Sequence, residues 1–168
     1  RIELGEIETA LAAQPGIRQA VVTVHPDPSG EQRLVAYAVC DGGEAPVVSD
    51  LRAALKGRLP DYMVPSIYQF LEAFPLTPNG KIDRKALPAP DGARPRLEAS
   101  YLVPRNALEQ AIATIWQDVL GVATVGVFDN FFDLGGHSLL LVKAHARLRD
   151  VAPRKLSILD LFRYPTID

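Results

Sequence analysis

Cysteine is all but missing from this 168-residue chain, with Cys40 standing alone. No internal disulfide can form, which fits a reducing compartment. Charge of one sign is missing too: eighteen basic residues face twenty acidic ones, a net of −2. That removes the electrostatic case for nucleic acid or an anionic membrane as partner. No apolar run approaches the roughly 20 residues of a membrane span, and the N-terminus lacks a signal-peptide pattern. The expectation is a cytoplasmic chain. Repeats, low-complexity tracts and an initiating methionine are absent as well. The abrupt start "RIELGEIE" reads as the beginning of a piece cut from a longer protein.

What is present divides in two. Residues 3–17 carry Leu4, Ile7 and Leu11 at helical spacing, with Glu3, Glu6 and Glu8 where a helix dipole favours acids. Residues 17–26 and 33–40 are β-branched apolar runs separated by "PDPSGEQ", so they read as a hairpin. Residues 49–60 predict a second helix, opened by a Ser49/Asp50 cap and stopped by Pro60. A third strand is expected within residues 65–75, and "NGK" at 79–81 marks a tight turn. This is a small α+β unit, a short sheet with flanking helices. Residues 91–103 lie in a stretch rich in Pro, Ala and Arg without apolar period and read as a semi-rigid linker. Beyond it strand signals vanish. Helices are expected over 106–121 and 137–150, with a short one within 155–168 broken at Pro165; the first has Leu108, Ile112, Ile115, Trp116 and Val119 on one face. Trp116 and Leu140 or Leu141 should sit in the core of a small, modestly stable helical unit.

The stretch "DNFFDLGGHSLLLVKA" (129–144) sets the functional question, because Ser138 opens a helix behind two glycines and a histidine. A nucleophile elbow needs G-x-S-x-G after a strand; here the second glycine is replaced by Leu140 and no strand precedes. A serine at a helix start is most often an N-cap. A third reading follows from physics: a helix N-terminus beside glycines has free N–H groups and a dipole that favour a phosphate. Ser138 would then be an attachment point that needs exposure rather than activation.

At this point the sequence resembles a known family. "DNFFDLGGHSL" (129–139) is similar, without a gap, to the thiolation motif of peptidyl carrier domains of nonribosomal peptide synthetases. The resemblance implies that Ser138 receives 4′-phosphopantetheine as covalent cofactor, with Gly136, His137 and Leu139 as its immediate surroundings. It implies a four-helix-bundle carrier bearing aminoacyl or peptidyl thioesters, in which Phe131, Phe132 and Leu134 are packed loop positions. Lys143, Arg147 and Arg149 against Asp150 alone resemble an in-line carrier more than an acidic free-standing one.

"RIELGEIE" (1–8), "LPDYMVP" (59–65) and "NGKIDRKAL" (79–87) resemble, in order, the last three core motifs of adenylation domains, and "LPAP" (87–90) resembles the linker motif that follows them. The boundaries implied are 1–90 for an adenylation C-terminal lid, 91–103 for a linker and 104–168 for the carrier, the two units moving as semi-independent bodies. Lys81 falls on the family's catalytic lysine, where an ammonium stabilises the charge of two joined anions. In the family the lid turns between adenylation and thioester formation, and the Gly5 region then lines the pantetheine tunnel. "LFRYPTID" (161–168) resembles the start of the family's last helix.

The resemblance implies a ligase of secondary metabolism such as antibiotic biosynthesis, with no metal site in this chain. The large adenylation core, which would bring ATP and Mg, lies outside it, so the chain alone is not expected to adenylate. The partners implied are that core in cis, condensation or release domains, a phosphopantetheinyl transferase and an amino-acid substrate. Two alternatives stand beside this: an interaction module that is never primed, and a serine hydrolase acting through Ser138.

Overall fold

A computed structural model describes residues Arg1–Asp168. The chain forms two compact units, Arg1–His25 with Gln32–Asp91, and Pro26–Glu31 with Gly92–Asp168.

In the first unit, helix α1 (Leu4–Ala12) buries Ile7 and Leu11 and is followed by β1 (Ile17–Pro26) and β2 (Gln32–Cys40). Helix α2 (Val48–Lys56) leads to a 3₁₀ turn at Asp61–Met63 and then to β3 (Ile67–Leu71). The sheet has the order β1-β2-β3, and β3 runs parallel to β2 with Val35 opposite Ile67 and Val39 opposite Leu71. A parallel neighbour needs a crossover, and α2 lies in that connection. β2 is the central strand. Its residues Val35, Tyr37 and Val39 gather with Val21, Phe74 and Leu87 in one core cluster, and Ala36 and Ala38 on the other face are buried too. Burial on both faces is why its apolar run hardly alternates.

The expected Ser49/Asp50 cap is not what starts α2. The helix begins at Val48, whose side chain is fully buried, and Val47 in the cap position makes no side-chain cap bond. Tertiary burial of Val48 outweighs the local capping preference of the next two residues.

The second unit is helical: α3 (Ala107–Leu120), α4 (Ser138–Leu148) and the short α5 (Ile158–Arg163). α3 starts on Asn106, whose side chain accepts from the Glu109 amide, and ends on Gly121 in the left-handed region at φ 68°. α5 starts with a complete capping box between Ser157 and Asp160. Trp116, Leu140 and Leu141 are all buried, as expected. The buried face of α3 is rotated from its sequence reading: Ala113 and Leu120 are inside with Ile115, Trp116 and Val119, whereas Leu108 is exposed. Residues 91–103 carry neither helix nor strand.

Candidate functional site

Ser138 is prepared by the fifteen or so residues before it. Asp129 is completely buried and accepts from the Gly126 amide at 2.7 Å. Asn130 turns the chain, its Oδ1 accepting from the Phe132 amide at 2.9 Å. The Phe131 amide donates to Pro165 O at 2.8 Å, and the Ile167 amide to Val127 O at 3.1 Å. The loop is thus stitched to the segment after α5. Phe131, fully buried, meets Trp116 edge to face at a ring separation of 5.0 Å. Phe132 is only partly buried and stacks on Phe162 of α5, centroids 5.7 Å apart. Leu134 is buried.

The double glycine has two separate physical reasons. Gly135 adopts φ 102°, outside the range that side chains tolerate. Gly136 has no such dihedral, but a Cβ there would fall 2.3 Å from Phe131 Cδ1 and 2.6 Å from the Phe131 carbonyl oxygen. Gly136 is buried, and its amide donates to that carbonyl at 3.0 Å. Its backbone is pressed against the loop's own aromatic ring.

His137 takes the N-cap position in extended conformation, φ −142°, but its side chain makes no cap bond. Ser138 is therefore the first residue of α4 and not its cap. It is exposed, as is Leu139. The first helix-closing bond runs from the Leu141 amide to His137 O at 2.9 Å. The amides of Ser138, Leu139 and Leu140 precede it and have no partner within the helix. No acidic residue lies in this first turn. Beside it His137 Nε2 lies 2.9 Å from Oδ2 of the buried Asp27. An exposed hydroxyl beside unpaired amides suits a phosphodiester. His145, on the same helix, has Nε2 2.7 Å from Leu156 O, so that nitrogen serves as donor to the loop before α5.

Lys81 belongs to the other unit. Its turn is closed by Gly80 N to Thr77 O at 2.9 Å and Thr77 N to Lys81 O at 2.7 Å, with Gly80 at φ 81°. An isolated bridge between Leu76 and Ile82 braces the base of the turn, and Asp83 caps the 3₁₀ turn Arg84–Ala86. The Lys81 side chain is exposed at the tip. Gly5 lies in the first turn of α1, exposed, with open space where a side chain would be.

Sequence reasoning missed two anchors. Tyr37 is fully buried, and its hydroxyl donates to Pro88 O at 2.6 Å, fastening the "LPAP" segment to the sheet beside buried Leu87. Arg94 grips Asp129 with two bonds, Nε to Oδ2 at 2.7 Å and Nη2 to Oδ1 at 2.6 Å. No local pattern announces either, because the partners lie 51 and 35 positions apart.

Residues 6–81 match the model of the AMP-binding enzyme C-terminal domain, and residues 110–168 match that of the phosphopantetheine attachment site. A linear gramicidin synthase of Brevibacillus parabrevis is 51% identical over all of this chain, which spans 2% of that protein. A dimodular nonribosomal peptide synthase of Bacillus subtilis (strain 168) is 47% identical over 99% of this chain and 7% of its own length. Among solved structures, holo-PA1221, described as a synthetase protein containing adenylation and carrier domains, superposes with a TM-score of 0.63. It is 29% identical over 100% of this chain and 26% of its own. A phosphopantetheine attachment domain carries that group covalently, and ATP use belongs to the adenylation family. Two domain matches in succession, on a lid-like sheet unit and a helical carrier unit, make this chain a member of the nonribosomal peptide synthetase family: an adenylation C-terminal domain followed by a carrier domain.

Proposed function

We propose that Ser138 is the residue to which phosphopantetheine is attached and that Lys81 is the lysine the lid lends to amino-acid adenylation. The observation that carries the first assignment is the exposed Ser138 hydroxyl at the first position of α4, behind a buried loop. In this reading Ser138 Oγ attacks a phosphorus of the coenzyme A pyrophosphate on a transferase. The serine proton passes to that enzyme, and adenosine 3′,5′-bisphosphate leaves. The amides of Leu139 and Leu140 face the resulting phosphodiester, Gly136 keeps the approach low, and His137 and Leu139 border it. When bound, the group supplies a thiol on a long arm that holds aminoacyl or peptidyl groups as thioesters.

Lys81 acts only with the adenylation core, to which the ATP and Mg chemistry belongs. Its place at the tip of a braced turn suits a residue that enters and leaves a site as the lid turns. The functional division follows the boundaries 1–90, 91–103 and 104–168. The partners are the core in cis, condensation or release domains, and a phosphopantetheinyl transferase, in the cytoplasm and away from membranes. No helix of the chain is long and apolar enough to cross a bilayer.

The carrier is inferred to be a four-helix bundle. An apolar groove of about 300 Å³ among Leu108, Ile112, Trp116, Leu148, Leu161 and Ile167 offers a seat for a fourth helix. It also accounts for exposed Leu108 on the rotated face of α3.

Mass spectrometry after incubation with coenzyme A and a broad-specificity transferase tests the assignment of Ser138. A gain of one phosphopantetheine, lost in Ser138→Ala, is expected. No gain on the wild-type chain would leave the unprimed interaction module as the better reading.

A further inference from the structure

The stretch read as a linker is fastened to the carrier over most of its length. The Ala123 amide donates to Gly92 O at 2.8 Å, and the Val127 amide to Leu102 O at 3.0 Å. Leu97 between them is buried. At the centre Arg94 grips Asp129 with both arms of its guanidinium. It also donates from Nη2 to Ala99 O at 2.8 Å and lies 5.5 Å over the Tyr101 ring. The Asp129 side chain is wholly inaccessible and that of Arg94 only 17% exposed.

A carboxylate with no access to water must be paired and hydrogen-bonded, and a bidentate arginine does this with fixed geometry. The grip therefore settles where Asp129 sits. Asp129 in turn holds the Gly126 amide and stands two residues before Phe131, the ring that Gly136 is pressed against. Gly136 stands two residues before Ser138. Close-packed groups of this kind shift together rather than deform one by one.

We propose that Arg94, acting through Asp129, is a positioning residue for the attachment serine: residues 92–102 form a strap that holds the 126–138 loop in the shape a transferase reads. This rests on the assignment of Ser138 as the attachment site.

The test uses the whole 168-residue chain with two readouts. Amide hydrogen exchange followed by mass spectrometry reports the loop itself. Steady-state priming with coenzyme A and a broad-specificity transferase reports its recognition. Arg94→Gln should accelerate exchange at least tenfold over 92–102 and 126–138 while α1 and α2 keep wild-type protection. It should lower priming kcat/KM at least tenfold, mainly through KM for the carrier. Arg94→Lys should recover part of both effects. If Arg94→Gln does not fold, Asp129→Asn, which keeps the shape and loses the charge, is expected to reproduce the pattern. Wild-type exchange and priming in a folded Arg94→Gln or Asp129→Asn chain would overturn the proposal. So would uniform acceleration of exchange throughout the second unit with KM unchanged. A wild-type chain that is not primed at all would sink the Ser138 assignment instead, and the exchange data would still decide whether the strap holds the loop.

Discussion

The ring of Phe131 lies so close to Gly136 that a methyl group on Gly136 would sit 2.3 Å from Phe131 Cδ1. Gly136→Ala should therefore push either the ring or the start of α4. Overpacking of this kind costs about 1–3 kcal/mol. Thermal unfolding should show a midpoint lowered by several degrees, with priming of Ser138 slowed at temperatures where the variant is folded. Gly135→Ala should cost a similar amount, about 1–3 kcal/mol, for a different reason: φ 102° is strained for any side chain.

Tyr37→Phe removes the hydroxyl that holds Pro88 O. The expected loss is about 0.5–1.5 kcal/mol, the usual net worth of one internal hydrogen bond. Urea unfolding should show it. Exchange should rise over the residues just after Pro88, while α4 stays unaffected.

Arg105 holds the Glu109 carboxyl below the usual carboxylate range, first through the side-chain hydrogen bond and then through the Arg105 backbone amide, against a smaller desolvation effect. A depressed folded-state value means that the group stabilises the fold above its unfolded value. That contribution is lost as pH falls through the depressed one. Arg105→Ala should move the Glu109 titration, followed by carboxyl-carbon NMR, upward toward the ordinary range. It should also make the start of α3 fray at a higher pH than in the wild type. A titration that stays in place would contradict the pairing.

Lys81→Ala should leave the unfolding midpoint within about 0.5 kcal/mol of wild type, because the side chain is exposed. Priming of Ser138 should be unchanged. In a chain that includes the adenylation core, amino-acid-dependent pyrophosphate exchange should fall by roughly 10²–10³, the usual effect of removing one group that stabilises transition-state charge. Exchange at the wild-type rate would remove Lys81 from the reaction.

Much of the fold and of the site was legible in the order of the residues. The periods at Ile7 and Leu11 and at Ile115, Trp116 and Val119 and the β-branched runs of the hairpin are local signals, and local backbone physics obeys them. The motif around Ser138 and the turn carrying Lys81 were readable for the same reason: each is written in consecutive residues. Where α2 begins, which edge of α3 is exposed and why Gly136 bears no side chain were not readable. Each depends on a neighbour supplied by packing: the core around Val48, the groove beside Leu108, and the ring of Phe131. The same holds for Arg94. In sequence it is one charge in a proline-rich stretch; in the folded carrier it is the partner of a carboxylate that has no water. Sequence alone determined that a small sheet unit precedes a helical one and which motifs each carries, because those are patterns of adjacent residues. Tertiary structure decided which distant groups hold the motifs in place, because burial and charge pairing act through space and leave no trace in local spacing.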